Sequence, residues 1–339
     1  MPSRRPDPAL DGPVAPAAPA QALVACLSLG GGGLRGLFTA TVLTAFEAAA
    51  GAPAATRFDL LAGTSIGGII AIGLAAGIPA ARIADAIRTR APHIFRRRPF
   101  RHYLLTARYP QEPLRQAVQS ILGDQAGRRF SDLEVPLLVT AVDQTAGRSH
   151  LFRSRGLAGA QADTVTLLDA ALATAAAPTF FPPHRIGDHV YADGGLVANA
   201  PDLLAVSAAM AHLHAPLSGI HVLSIGTAAS PLPGRPFGST GGLAWLRRHR
   251  LVELTVTAQE HAGVDQARRI LGPRYLRIDR CPQTPIGMDD LAGLHLLPEL
   301  ARRAVEDVAS DRRSGWSEAV GREAARLHYR ATPGHYTNV

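Results

Sequence analysis

An apolar run, "ALVACLSL" (Ala22 to Leu29), stops at four consecutive glycines, Gly30 to Gly33. "LRGLFTATVLTAFEAAAG" follows, with apolar residues at helical spacing up to Gly51, a glycine placed to end a helix. A buried strand that breaks at a glycine turn and restarts as a helix is half of a parallel-sheet unit. The same succession returns in "FDLLAG" followed by "IGGIIAIGLAAG". Further strands are predicted in "PLLVTAVDQ" (Pro136 to Gln144), in "SHLFRS" across the "TAGR" turn, and in "HVYADGGL", "GIHVLSIGT" and "RYLRID". "LLDAALATAAA" is predicted as a helix stopped by Pro178. Strands alternating with helices imply an α/β fold: a three-layer sandwich whose central sheet is mostly parallel and covered on both faces. Ligands of such sheets bind at the carboxyl ends of strands, where the glycine turns of this chain also fall.

With 339 residues, 47% of them apolar, the chain can bury one large core. Met1 to Ala20 is rich in proline and alanine and is expected to be a disordered arm. Arg4 and Arg5 lack the apolar run of an export signal behind them, so a cytoplasmic protein is expected. Residues 22–207 are expected to form a catalytic core, and 208–339 a mainly helical continuation of the same domain. The uncharged run Leu60 to Ala81 contains Thr64, Ser65, Pro79 and several glycines, which suits a strand, turn and core helix better than a membrane span. Cys26 and Cys281 are the only cysteines, so neither a disulfide framework nor a metal site is expected. The net charge is +8 and every basic residue is arginine. That balance suits anionic partners, and equally suits solubility alone.

Gly31-x-Gly33-x-x-Gly36 is a weak dinucleotide fingerprint. A nicotinamide fold also wants an acidic residue after the second strand, whereas Glu47 falls inside the first helix and Asp59 begins the second strand. A dinucleotide-binding oxidoreductase is therefore the weakest reading.

Gly63-Thr64-Ser65-Ile66-Gly67 fits G-x-S-x-G, where a tight strand-to-helix corner holds the serine hydroxyl clear of the sheet. The bland reading is a serine capping the next helix. A nucleophilic serine needs a base. Asp193, in "YADGGL" beside Gly194 and Gly195, is the candidate carboxylate, although Asp-Gly-Gly also reads as a plain turn. His221, His184 and His189 are the histidines open to a Ser-His-Asp triad. Without one, Asp193 itself must accept the serine proton, and burial must then raise its pKa.

The three motifs, taken in order, resemble those of the patatin-like phospholipases: Gly31-Gly32-Gly33-Leu34-Arg35-Gly36, Gly63-Thr64-Ser65-Ile66-Gly67 and Asp193-Gly194-Gly195. "FDLLAGTSIGG" and "AAAPTFFPP" share the likeness, which covers about Leu27 to Ser207. The resemblance implies Ser65 as nucleophile and Asp193 as base. It implies an oxyanion hole made by backbone N–H groups of the Gly31–Gly36 loop, and no cofactor. Two positions depart from the family pattern. Gly30 stands where many members have Asp or Asn, and "ANAP" carries Ala200 where "ANNP" is usual.

The implied activity is acyl-ester hydrolysis of phospholipid, with a housekeeping lipase as the alternative role. The opening motif and the "YLRID" and "GMDDL" stretches are similar to a bacterial branch of anti-phage effectors. Membership there implies a cyclic dinucleotide activator rather than a nucleic-acid polymer. It also implies action at the inner membrane as a peripheral protein. His93 to Tyr109, "HIFRRRPFRHYLLTARY", mixes arginines with apolar and aromatic residues and is a candidate membrane-facing stretch.

Overall fold

The computed structural model describes residues 23–96, 106–230, 251–311 and 314–322. The arm expected at 1–20 lies outside them, as does the middle of the His93–Tyr109 stretch. Among the described residues the central sheet has eight strands: β1 (Val24–Leu29), β2 (Leu60–Gly63), β3 (Leu137–Asp143), β4 (Arg148–Arg153), β5 (His184–Ile186), β6 (His189–Asp193), β7 (Ile220–Ile225) and β8 (Tyr275–Ile278). Their order is β5-β6-β3-β2-β1-β7-β8, with β4 on β3. The five strands β3-β2-β1-β7-β8 run parallel, and β4, β5 and β6 pair antiparallel.

The long helices are α1 (Gly36–Ala50), α2 (Ile66–Ala75), α3 (Ala80–Ile94), α4 (Gln111–Leu122), α6 (Leu167–Thr174), α8 (Asp202–His212), α9 (Leu251–Leu271) and α10 (Leu297–Ser310). Short helices α5 (Arg155–Ala158), α7 (Gly195–Ala198) and α11 (Trp316–Gly321) lie between or after them. The period of two along the strands sorts the core into two layers. Leu27, Leu29, Leu61 and Val139 point to the layer shared with α1, α2, α3 and α4. Val24, Cys26, Leu60 and Leu138 point to the layer shared with α8 and α9.

One feature of the sheet positions everything at the site. β4 occupies one edge of β3 from Leu138 to Asp143. The other edge is divided: β2 pairs with Leu137 to Val139, and β6 pairs with Ala141 to Asp143 from the opposite direction. The carboxyl ends of β2 and β6 therefore meet head to head at the level of Thr140. Ser65 leaves one end and Asp193 the other.

Candidate active site

The corner after β2 is tight. Ser65 sits at φ 55, ψ −124, a strained conformation for a residue with a side chain. The chain can turn here because Gly67 lies against β1; a Cβ on Gly67 would come within 2.3 Å of the Leu29 carbonyl oxygen. Thr64 locks the corner to the seam. Its hydroxyl lies 2.8 Å from that of Thr140, and it donates to the Ala198 carbonyl at 2.6 Å.

Ser65 Oγ donates to Asp193 Oδ2 at 2.7 Å. The other carboxylate oxygen, Oδ1, accepts the Gly195 N–H at 2.7 Å. Burial pushes the Asp193 carboxyl up to about 6, against the lowering effect of the hydrogen bonds from Ser65 and Gly195. Thr174, at the end of α6, ties the two sides together. Its hydroxyl accepts the Ser65 N–H at 2.9 Å and its carbonyl accepts the Gly194 N–H at 3.3 Å.

The six loop residues expected at the oxyanion hole separate into two groups. The Gly31 amide donates to the Asn199 carbonyl at 2.9 Å and the Leu34 amide to the Met288 carbonyl at 2.9 Å. The Arg35 amide donates to Gly32 and the Gly36 amide to Gly33 and Leu34. Among the described residues, only the Gly32 and Gly33 amides of this loop have no acceptor, and both residues line the cavity that holds Ser65 and Asp193. Helix closure and neighbouring carbonyls engage the amides of Gly31, Leu34, Arg35 and Gly36, so of the six expected residues only Gly32 and Gly33 remain as candidate donors. The Arg35 guanidinium donates to the Ile286 carbonyl at 3.2 Å and so helps tie the loop to the 286–288 segment.

The loop is held from behind. Asn199 Nδ2 donates to the Gly31 carbonyl at 3.3 Å and to Glu260 Oε2 at 2.6 Å, and Thr227 Oγ1 donates to the same Gly31 carbonyl at 3.2 Å. Glu260 in turn accepts from Arg277 at 2.9 Å. Sequence reading missed Thr174, Thr227 and Met288 and noted Asn199 only as part of "ANAP". Three of them, Thr174, Asn199 and Met288, act at least in part through carbonyl oxygens that every residue carries, which leaves no mark in the sequence.

No histidine of the described residues bonds to Ser65 or Asp193. His221 pairs in register with Ala25, four residues before the carboxyl end of β7 at Ile225, and so lies toward the opposite end of the sheet. His184 contacts Asp169 at 3.0 Å and His189 contacts Asp143 at 2.7 Å. The carboxylates that a nicotinamide site needs are also engaged elsewhere: Asp59 with the Ala25 amide, Glu47 with the amides of Ala54 and Ala80.

An apolar channel leads away from Ser65, walled by Ile69 of α2, Ile87 and Ala91 of α3, and Leu114, Ala117 and Ile121 of α4. Beyond it Ile83 and Ile121 close on Gly73, where a Cβ would come within 2.8 Å of Ile83 Cδ1. Phe95 and Tyr109, two aromatics of the stretch considered for membrane contact, are buried, their rings 5.3 Å apart edge to face. The Tyr109 hydroxyl donates to Asp289 at 2.7 Å. These two side chains serve the core and not a lipid surface.

A serine on a strained strand-to-helix corner, bonded to a buried carboxylate in a cavity also lined by two glycines with unengaged amides, defines a serine hydrolase built on a mixed α/β sheet. The sequence matches the Patatin-like phospholipase family over residues 27–206, and the chain belongs to that family. It is 37% identical over 262 residues to the cGAMP-activated phospholipase of Pseudomonas aeruginosa, covering 75% of this chain and 77% of that protein. It is 34% identical over 266 residues to the cGAMP-activated phospholipase of Vibrio cholerae, covering 70% and 74%. A cUMP-AMP-activated phospholipase of Escherichia coli is 30% identical over 219 residues, covering 61% and 65%.

Proposed function

We propose that this chain hydrolyses acyl esters of membrane phospholipid through Ser65 and Asp193, and that a cyclic dinucleotide switches the activity on. The observation that carries the chemistry is the 2.7 Å hydrogen bond from Ser65 Oγ to a carboxylate raised to about 6. At pH 7 such a group is about nine-tenths ionised and is a stronger base than an ordinary carboxylate.

Asp193 takes the proton as Ser65 Oγ bonds to the acyl carbon. The carbonyl oxygen becomes an anion, and the Gly32 and Gly33 amides stabilise it. One such preorganised donor lowers the barrier by on the order of 3 kcal/mol. Collapse breaks the ester bond, and Asp193 returns the proton to the departing glyceryl oxygen. Water then attacks the acyl-serine with Asp193 again as base, releasing fatty acid and restoring Ser65 Oγ–H.

The channel supplies the preference for lipid. Its walls are hydrocarbon, and from Ile66 to Gly73 α2 rises about 10 Å, enough for roughly eight methylenes of an extended acyl chain. The rest of the lipid stays outside, which favours a protein acting at a membrane surface. The activator is inferred from the names of the relatives in Pseudomonas, Vibrio and Escherichia.

The test is release of fatty acid from phospholipid vesicles with and without cGAMP. The native chain should release fatty acid strongly only with the nucleotide, and Ser65→Ala should release none. Release by Ser65→Ala would remove Ser65 as nucleophile. Nucleotide-independent release by the native chain would leave a housekeeping lipase as the better role.

A further inference from the structure

A second cavity lies at the amino end of the parallel strands. It is walled by Ala25 of β1, His221 of β7 and Leu276 of β8, and by the side chains of Arg57, Arg274 and Arg322. The cavity volume is about 370 Å³, within the range of small-molecule sites. From Ala25 to Gly31 the chain advances six residues, so this cavity and the oxyanion loop are separated by roughly 20 Å of strand.

Its charge is unusual. Three guanidiniums face it, whereas Glu318 is the single carboxylate among the described lining residues. Arg322 pairs with Asp59 at 2.8 Å. Arg57 and Arg274 have no carboxylate partner among the described residues. Arg57 donates to the carbonyls of Arg322 and Ala50, and Arg274 donates through Nη1 to those of Leu217 and Ile220. Main-chain carbonyls fix these side chains in place and leave the positive charge uncancelled. Arg274 keeps Nε and Nη2 without acceptors among the described residues, the donor pair that phosphate oxygens accept. Burial first, then the Arg322 and Arg274 guanidiniums, hold the His221 ring below its usual range, against the raising effect of Glu318. Leu23 and Pro273 add apolar wall on which a base can rest.

We propose that this arginine-lined cavity binds the phosphodiester groups of a cyclic dinucleotide, which makes it the activator site. The assignment rests on the nucleotide-switch reading of the function. Guanidiniums on either side of His221 suit a ligand with two separated phosphates. Two strands run from the cavity to the loop that carries the unengaged amides. β1 leads from Ala25 to Gly30, and β7 leads from His221 to Thr227, which holds the Gly31 carbonyl.

Titration calorimetry of the full chain with cGAMP tests the site, with vesicles containing phosphatidylglycerol as the second anionic probe. Arg274→Gln should weaken cGAMP binding at least tenfold. Because that change also removes contacts to two carbonyls, Ser317→Glu is the companion variant. It places a negative charge on the exposed wall and leaves the arginine contacts intact. It should weaken cGAMP binding at least tenfold while hydrolysis of a soluble short-chain ester stays at the native basal rate. Native-like cGAMP affinity in folded Arg274→Gln and Ser317→Glu would overturn the site and leave nucleotide activation standing. No binding of cGAMP or cUMP-AMP by the native chain would overturn the nucleotide switch and the site with it. If Ser317→Glu loses vesicle binding but keeps cGAMP binding, the cavity is a lipid headgroup site and the assignment is wrong.

Discussion

Asn199 holds both main-chain polar groups of Gly31: the Asn199 carbonyl accepts the Gly31 N–H at 2.9 Å, and the Asn199 side chain donates to the Gly31 oxygen at 3.3 Å. The fit is close, since a Cβ on Gly31 would lie 2.3 Å from Asn199 Oδ1. This contact sets where the next two amides, Gly32 and Gly33, point.

Asn199→Ala removes the side-chain half of the grip and leaves Glu260 without that donor. The expected result is a kcat lower by about tenfold to a hundredfold, or 1.4 to 2.7 kcal/mol in the barrier, with KM little changed. Steady-state kinetics on a soluble ester checks it. A rise in KM with unchanged kcat would mean that Asn199 serves binding alone.

The channel is expected to measure acyl length. Ala117→Phe fills it midway along α4 and should lower kcat/KM for long-chain esters at least tenfold relative to butyrate. Ile121→Ala, at the closed end, should shift the preference toward longer chains. A series of nitrophenyl esters reads both. An unchanged length profile in Ala117→Phe would show that the acyl chain lies elsewhere.

Asp193 must be ionised to act as a base, and its carboxyl titrates at about 6. Below that value kcat/KM should fall about tenfold per pH unit, and above it should level off. The same burial lowers stability. The unfolded chain ionises Asp193 near 3.8 and the folded chain near 6, so the folded state holds more protons across that window. Stability therefore drops as pH rises through it, by on the order of 3 kcal/mol, and stays lower above it. Asp193→Asn should raise Tm over the native chain at pH 8 and much less at pH 4.5. An equal effect at both values would contradict the buried-carboxylate account.

Gly67→Ala drives a methyl against the Leu29 carbonyl, a backbone atom that cannot swing aside. It should destabilise by about 2 to 3 kcal/mol in denaturant melts. Gly127→Ala, with nothing within 4 Å of its added Cβ, should stay within about 0.5 kcal/mol of the native chain.

The motifs were legible because each glycine turn breaks an apolar run, and a break of that kind shows locally. Strands β1, β2, β3, β6 and β7 stand where the apolar runs place them. The head-to-head meeting of β2 and β6 did not show. Strand direction depends on which edge of β3 is free, and "YADGGL" reads alike in a parallel or an antiparallel strand. Helices α3 and α4 carry a period that was there to be read, with Ile83, Ile87, Ala91 and Ile94 on one face of α3. Helix α8 is apolar on several sides, and so its period is faint. The pairing of Ser65 with Asp193 followed from a resemblance. The reason they meet, the shared edge at Thr140, is visible only in three dimensions.

Labelling by a fluorophosphonate, followed by peptide mass spectrometry, tests the Ser65–Asp193 pair most directly. The account expects a single adduct on the Ser65 peptide, formed at a rate that declines below about pH 6 with Asp193. In folded Asp193→Asn that rate should fall by about a thousandfold or more. An adduct on another residue, or native-rate labelling of Ser65 in Asp193→Asn, would contradict it.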